Sequence, residues 1–366
     1  MAICRVYLTT YRRHQTLPRA IDSLLNQTVT DWVCELHNDD PTDPYPKQLV
    51  EAIGDPRIQV VDHPENLGAT RTFNLIFQTV PEEFVSLLED DNWWESHFLE
   101  TMLQAMRSFP TVQVGWANMR HWQEGADGSW SDTGKTTWDV PPTAQPHLFG
   151  WGHPRQMVAA LHANGAMLVR SQSANRYKTP DHTPFEGAEA IRERTFHFPI
   201  LFVPQICANF AVTRQSSRSN NTLIWAQLQT LLAGSFLKHV PLTPSDLLQV
   251  WHQARCKTPK STTTLFFAAL ACPGCFSILK YASLSDWLFF FAYCLKHPIT
   301  VWKTSRAIAT YPELWQFLDE QTAARSREKE EESAREQRRQ GKQRESQNSK
   351  LKTHNSSSLL SLWQKS

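Results

Sequence analysis

Three consecutive acids, Glu89, Asp90 and Asp91, stand in the stretch SLLEDDNWWESH, after an apolar run and before two tryptophans. Carboxylates this close repel one another, so a cation or a set of hydrogen-bond donors must hold them. Mg2+ and Mn2+ are hard cations that take oxygen ligands and often share them with a substrate diphosphate. The same residues have a plainer use, because Asp91 or Asn92 can cap the helix that ESHFLETML announces. Two more acidic positions, Asp39/Asp40 in HNDDPTD and Asp62 in VVDH, also end β-rich runs. A second carboxylate pair, Glu186 and Glu189 in PFEGAEAIRER, opens a helical pattern, where the helix dipole favours acids.

The elements that would position these acids alternate. ICRVYLT, DWVCELHNDD, RIQVVDH and FVSLLED read as strands. Between them TLPRAIDSLLNQ, PKQLVEAIG and ATRTFNLIFQTV read as helices, and ESHFLETMLQAMRSF follows. In the first helix Leu17, Ile21, Leu24 and Leu25 recur at helical spacing, with Thr16 as the N-cap and Pro18 in the first turn. Alternation of this kind predicts βαβ units and a mostly parallel sheet, whose ligands bind beyond the carboxyl ends of the strands. Those ends carry the acids. From about residue 111 to 155 the pattern loosens into Trp- and Gly-rich loops. LHANGAMLVRS then reads as a short strand, FEGAEAIRERTF as a helix and FPILFVPQICANFAVT as further strand material.

The bulk composition narrows the classes. An apolar fraction of 41%, with 19 Phe and 14 Trp, fills a sizeable core, and a net charge of +1 gives no pull towards nucleic acid. Seven scattered cysteines form no disulfide framework, and the lone pair Cys272 and Cys275 lacks the partners zinc requires. No basic stretch leading into a long apolar run opens the sequence, so the reading is a cytoplasmic protein without a signal peptide. Beyond residue 221 successive apolar helices are broken by Pro273, Lys280, Asp286 and Lys296, which predicts a helical subdomain with an option of peripheral membrane contact at the inner face. Residues 322–366 are a dense mixed-charge tail, disordered or a solvated helix. The domain reading is therefore 1–220, 221–321 and 322–366.

TTYRRHQTLPRAIDSLLNQT, HNDDPTD, NLGATRTFN and LLEDDNWW, in this order, resemble the motifs of a family-two glycosyltransferase of the GT-A fold. The resemblance implies an α/β, Rossmann-like, mostly parallel sheet flanked by helices, with a helical C-terminal extension. It also implies inverting transfer of a sugar from a nucleotide-diphosphate donor, a UDP-sugar, with Mg2+ or Mn2+. By the same resemblance Thr9 and Tyr11 line the nucleotide pocket, Asp39 accepts from the base, and Arg71 reaches the base or a phosphate. Asp91 binds the metal, with Glu89 or Asp90 helping through water or ribose contacts. Arg214 and Arg218 belong to a loop that closes on the diphosphate. The base is Glu186 or Glu189, with Glu186 preferred because it lies six residues before Arg192. Asn164 to Met167 border the acceptor, and Trp93, Trp94 and Trp151 either stack on sugars or belong to the core. The acceptor is a glycan, a lipid-linked molecule or a protein. The sequence departs from the family pattern at Arg12 (Asn in the family), at Asp40 and Pro41 (Gly-Ser) and at Glu89 (Asp). These departures leave a catalytically silent sugar-nucleotide binder as the rival reading. A nucleotidyltransferase is disfavoured, since TTYRRHQ lacks its glycine-rich loop.

Overall fold

The structure is a computed structural model and describes residues 2–214, 221–257 and 259–363, without the side chains of 257, 259–260, 273 and 341–363. Four strands alternate with helices at the start: β1 (Cys4–Thr10), β2 (Trp32–Asn38), β3 (Ile58–Asp62) and β4 (Phe84–Glu89). The sheet continues with β5 (Trp93–Trp94), β6 (Val114–Glu124), β7 (Trp130–Thr136), β8 (His147–Phe149), β9 (Met167–Arg170) and β10 (Ile200–Val212). Its order is β3-β2-β1-β4-β9-β6-β10-β5, with β7 on β6 and β8 on β10. The block β3-β2-β1-β4 is parallel throughout, as is the β6–β10 pair. β9 runs antiparallel between β4 and β6.

The helices between the first strands have local causes. Leu17–Leu25 buries Leu17, Ala20, Ile21 and Leu24 against the sheet, and Thr16 and Pro18 stand at its start as the spacing predicts. Each such leucine or isoleucine contributes about 1.5–3 kcal/mol by leaving water. Tyr45–Ile53 ends at Gly54, whose φ of 69° is a left-handed conformation that glycine adopts without steric cost. The third helix covers only Ala69–Asn74, shorter than its apolar pattern suggests. Asn74 turns its amide away to the Thr179 carbonyl (2.8 Å) and to Asp181 (3.1 Å), tying the helix end to a distant loop.

The sequence reading of loops across 111–155 needs correction. β6 and β7 form a hairpin there, turning at Ala126–Ser129 with Gly128 at φ 79°. The Asp-Gly pair in GADGS is a hairpin signal of its own.

The C-terminal region is helical. Thr222–His239 is its central helix, with Pro244–Lys257, Pro259–Ala271, Leu284–Lys296 and Pro298–Ser305 packed around a core of Trp251, Phe266, Phe267 and Phe290. A last helix spans Pro312–Trp363. Its first half is docked well past residue 322: Trp151 Nε1 donates to Ser326 Oγ at 3.0 Å, and Lys329 Nζ donates to the Trp151 carbonyl at 2.7 Å. Among the described residues no single helix is long and apolar enough to cross a membrane.

Candidate active site

A cavity of about 630 Å3 opens at the carboxyl ends of the parallel strands, beyond the paired ends of β1 and β4. This is where an open parallel sheet reverses direction and leaves a crevice. Register explains the company: β1 places Thr9 beside Glu89 of β4 and Thr10 beside Asn38 of β2. Thr9, Tyr11, Asp39, Glu89, Asp90 and Asp91 line the cavity. Gly68 and Thr72 form a second wall, and Phe210 to Val212 of β10, with Thr213 just beyond it, form a third.

The acidic turn is held by many donors. Tyr11 N donates to Asp90 Oδ2 at 3.2 Å. Burial, reinforced by the neighbouring Asp91 charge, pushes Asp90 up to about 7, against the opposing pull of the Thr10 hydroxyl and Arg13. Arg13 Nη2 lies 4.0 Å from Asp91 Oδ2. Arg19 donates to the Asp91 carbonyl at 2.7 Å, and its guanidinium lies 3.8 Å from the ring centroid of Trp93 and 4.3 Å from that of Trp130. Burial lowers Arg19 to about 10.

Asn92 does not cap a helix. Its amide donates to Glu89, and its Oδ1 accepts the Ala211 N–H at 2.9 Å, so it fastens the turn to β10. The following helix starts at Phe98 with His97 at its N-cap. Trp94 is core, stacked on Phe98 at 4.2 Å with Nε1 on the Gly165 carbonyl. Trp151 is core too, between Arg194 and Phe236. Of the three tryptophans read as sugar platforms, Trp93 alone is half-buried beside the acids.

Asp39 is buried, and its carboxylate organises the NLG loop. Oδ1 accepts from Leu67 N at 2.8 Å and lies 3.0 Å from His63 Nδ1, while Oδ2 accepts from Gly68 N at 3.0 Å. Gly68 has φ 76°, a value that a side chain would strain. Each oxygen keeps acceptor capacity beyond these bonds. The hydroxyl of Thr72 is buried in the same wall without a hydrogen-bond partner.

The Glu186 helix, Phe185–Glu193, meets the cavity through Phe185. Glu189 Oε1 accepts the Asn164 N–H at 2.9 Å, which anchors the turn Asn164–Ala166. That turn abuts the acids: a Cβ on Gly165 would lie 2.7 Å from Glu89 Oε2 and 2.8 Å from Asn92 Nδ2. Glu186 lies on the side of Tyr311, whose pKa its charge helps burial to raise. Arg192, which motif reading used only as a spacing mark, and Glu193 and Arg194, which it missed, tie this helix down. Arg192 is fully buried and donates to Asn74 Oδ1 at 3.3 Å, with its guanidinium 4.8 Å from the Phe77 ring centroid. Burial lowers it to about 10. Glu193 accepts from Leu161 N at 2.7 Å and Gln156 Nε2 at 2.9 Å and pairs with His162 Nδ1 at 2.6 Å. Arg194, fully buried, donates to the Gln156 carbonyl. A charged residue every turn is usually a solvated face, so only tertiary contacts distinguish these.

Glu186 and Glu189 lie outside the cavity lining, which their helix meets only through Phe185, and two nominated arginines lie away from it as well. Arg71 is exposed and pairs with Glu65 at 3.5 Å, because Ala69, Thr72 and Phe73 take the inward face of its short helix. Arg214 is tied to the β6–β7 hairpin, its N–H on Glu124 Oε2 at 2.7 Å. Arg218 lies outside the described residues. Among the described residues no group of three or more His, Cys, Asp or Glu could hold a metal with protein ligands alone.

Comparison with known proteins agrees with this geometry. Residues 6–154 match the model of glycosyl transferase family 2. WcaA of Escherichia coli (strain K12), named as a colanic acid biosynthesis glycosyl transferase, is 29% identical over 114 residues, 31% of this chain and 41% of WcaA. The match thus spans less than half of that relative. The structure of S. aureus TarS 1-349 with UDP aligns over 86% of this chain and 92% of that one, with a TM-score of 0.56 at 11% identity. The same protein with UDP-GlcNAc aligns over 92% of each chain, with a TM-score of 0.51 at 12% identity. At this identity the likeness establishes a shared fold. Residues 6–154 are thus similar to a family 2 glycosyltransferase domain, within a chain that shares the fold of the TarS structures and ends in a helical region.

Proposed function

We propose that the protein transfers a sugar from a nucleotide-diphosphate donor, of the UDP-sugar class, to an acceptor hydroxyl with inversion at the anomeric carbon. The observation that carries this reading is one cavity where Thr9, Tyr11, Asp39 and the acidic turn converge with the start of the Glu186 helix. TarS structures with UDP and UDP-GlcNAc support a donor of that kind for a domain of this fold.

In this reading the nucleoside end lies against Thr9, Tyr11 and the NLG loop that Asp39 holds. The diphosphate lies towards Asp90 and Asp91. Asp91 would hold Mg2+ or Mn2+, with Asp90 or Glu89 as the second contact and the diphosphate completing the shell. That shared shell suits a turn where burial first and the Asp91 charge second push Asp90 up, since a cation would relieve both. Such a cation, when bound, supplies positive charge to the leaving diphosphate. Glu186 takes the proton from the acceptor hydroxyl as it attacks. Glu189 lends an oxygen to Asn164 N and positions the turn against Glu89 and Asn92. The reading admits a glycan, a lipid-linked molecule or a protein as acceptor. Seven unpaired cysteines suit a reducing compartment, and we place the reaction in the cytoplasm.

The test is thermal unfolding with UDP or GDP, each with and without Mn2+. A ligand at a hundredfold excess over its Kd stabilises by about 2.7 kcal/mol. Stabilisation by UDP with Mn2+ that Asp91→Ala removes is the expected result. Absence of any nucleotide effect at saturating ligand overturns the donor assignment, and binding without hydrolysis of any UDP-sugar favours the silent binder.

A further inference from the structure

The helix Leu284–Lys296 carries an apolar face that no described residue covers. Leu284, Leu288, Phe291 and Leu295 are 76, 62, 56 and 86% exposed. At 100° per residue these four positions fall within a narrow arc of the helix surface. The opposite side holds Asp286 and Phe290, which are buried. The next helix, Pro298–Ser305, adds Ile299 and Trp302, 70 and 58% exposed. Scattered apolar residues are ordinary at a surface, but a continuous series this long marks a binding face.

The charge around this face indicates what covers it. Between residues 276 and 306 the basic side chains are Lys280, Lys296, Lys303 and Arg306, and all four are exposed. Asp286 is the sole acid in that stretch, and it is buried against Arg255, with Nε 3.0 Å from Oδ2. Every formal charge that solvent meets there is therefore positive. Arg306 lies 5.3 Å from the ring centroid of Trp302, which joins a cation to an aromatic side chain at the edge of the apolar series. Exposed apolar residues flanked by Lys and Arg, with no exposed acid, match helices that lie in the plane of an anionic bilayer surface. The bent pair Gly274–Tyr281 and Leu284–Lys296 is apolar enough to enter a bilayer by length and composition, yet its 119° bend suits lying on the surface. We infer that these helices bind the protein to an anionic lipid membrane surface, independently of the catalytic reading.

The full chain is mixed with vesicles of phosphatidylcholine alone, or of equal parts phosphatidylcholine and phosphatidylglycerol, and bound protein is measured by flotation. Binding is expected to the mixed vesicles, to weaken in about 1 M salt as screening shortens, and to fall on the order of a hundredfold in Leu288→Ser/Phe291→Ser/Leu295→Ser. These side chains are exposed, so the variant should keep the native unfolding midpoint, which is checked in parallel. Lys296→Gln/Lys303→Gln should weaken binding to the mixed vesicles. Equal binding to both vesicle types, binding unchanged in the triple variant, or no flotation at all overturns the proposal. So does a native chain that dimerises through this face, shown by loss of the dimer in the triple variant, while ignoring vesicles.

Discussion

Arg12 Nε lies 2.5 Å from Asp40 Oδ2. These are two of the positions where the chain departs from the family-two pattern, Asn to Arg and Gly to Asp, and the two departures face each other. Arg12 is the one non-glycine residue of positive φ among the described residues, at 54°. Asparagine tolerates that conformation better than most side chains, which gives a physical reason for the family's choice. Here the arginine gains Asp40 as a partner, and the Arg12 guanidinium with Thr42 holds the Asp40 carboxyl down to about 2. A second pair, His14 Nε2 to Asp43 Oδ2 at 2.6 Å, joins the same two loops.

The pairing predicts an order of stabilities. Arg12→Asn and Arg12→Ala both lose Asp40, but asparagine fits the left-handed backbone. Urea unfolding should find Arg12→Asn more stable than Arg12→Ala by about 1 kcal/mol. Equal midpoints would show that the backbone conformation carries no cost.

Gly165→Ala should damage catalysis more than folding. Its Cβ would sit 2.7 Å from Glu89 Oε2 and 2.8 Å from Asn92 Nδ2, distances that force the carboxylate and the amide that clamps the turn to shift. Displacing catalytic groups by about 1 Å costs on the order of a hundredfold in turnover. UDP-sugar hydrolysis, followed beside the thermal midpoint, checks the split.

Glu186 and Glu189 should separate kinetically. Glu186→Gln removes the base and should lower kcat by about 100- to 10,000-fold with donor affinity retained. Glu189→Gln keeps an acceptor oxygen for Asn164 N and should lower kcat by no more than about tenfold. The reverse ranking would transfer the base assignment to Glu189.

Acid should weaken the fold through Glu193. Burial raises its pKa, but the bonds from His162, Gln156 and backbone amides outweigh burial and leave it below the ordinary 4.5. A folded pKa below the unfolded one means stability that is present above about 4.5 and lost as pH falls through the folded value. Glu193→Gln should cost about 3 kcal/mol at pH 7, yet lose less than the native chain on acidification below 4.5. Denaturant midpoints across pH 7 to pH 3 measure both slopes.

The mostly parallel sheet and the acids at its strand ends are legible in local patterns, because each parallel strand is an apolar run ending in polar residues; the strand order is not, because pairing is non-local. Thr9, Asp39 and Asp91 are legible for the same reason, since strand ends are local features. Arg192 and Arg194 are not, because nothing in RERTF distinguishes a buried guanidinium from a solvated one. Arg71 misleads in the opposite way: its motif is right, but a six-residue helix turns it outward. The β6–β7 hairpin escapes because β6 changes from a buried run to a polar one midway, which blurs the alternation that marks a strand.

The bond from Ala211 N to Asn92 Oδ1 spans 119 residues of sequence. The four segments that carry the family resemblance, the last ending at Trp94, are translated long before Ala211 exists. On a ribosome the acidic turn therefore emerges without its clamp, and it can take its final form only once β10 has been made and threaded beside β6. A chain stopped at residue 154, where the family match ends, would carry the whole signature and lack the strand that closes it. Maturation of the cavity is thus set by the arrival of a strand late in synthesis, downstream of the segments that identify the domain.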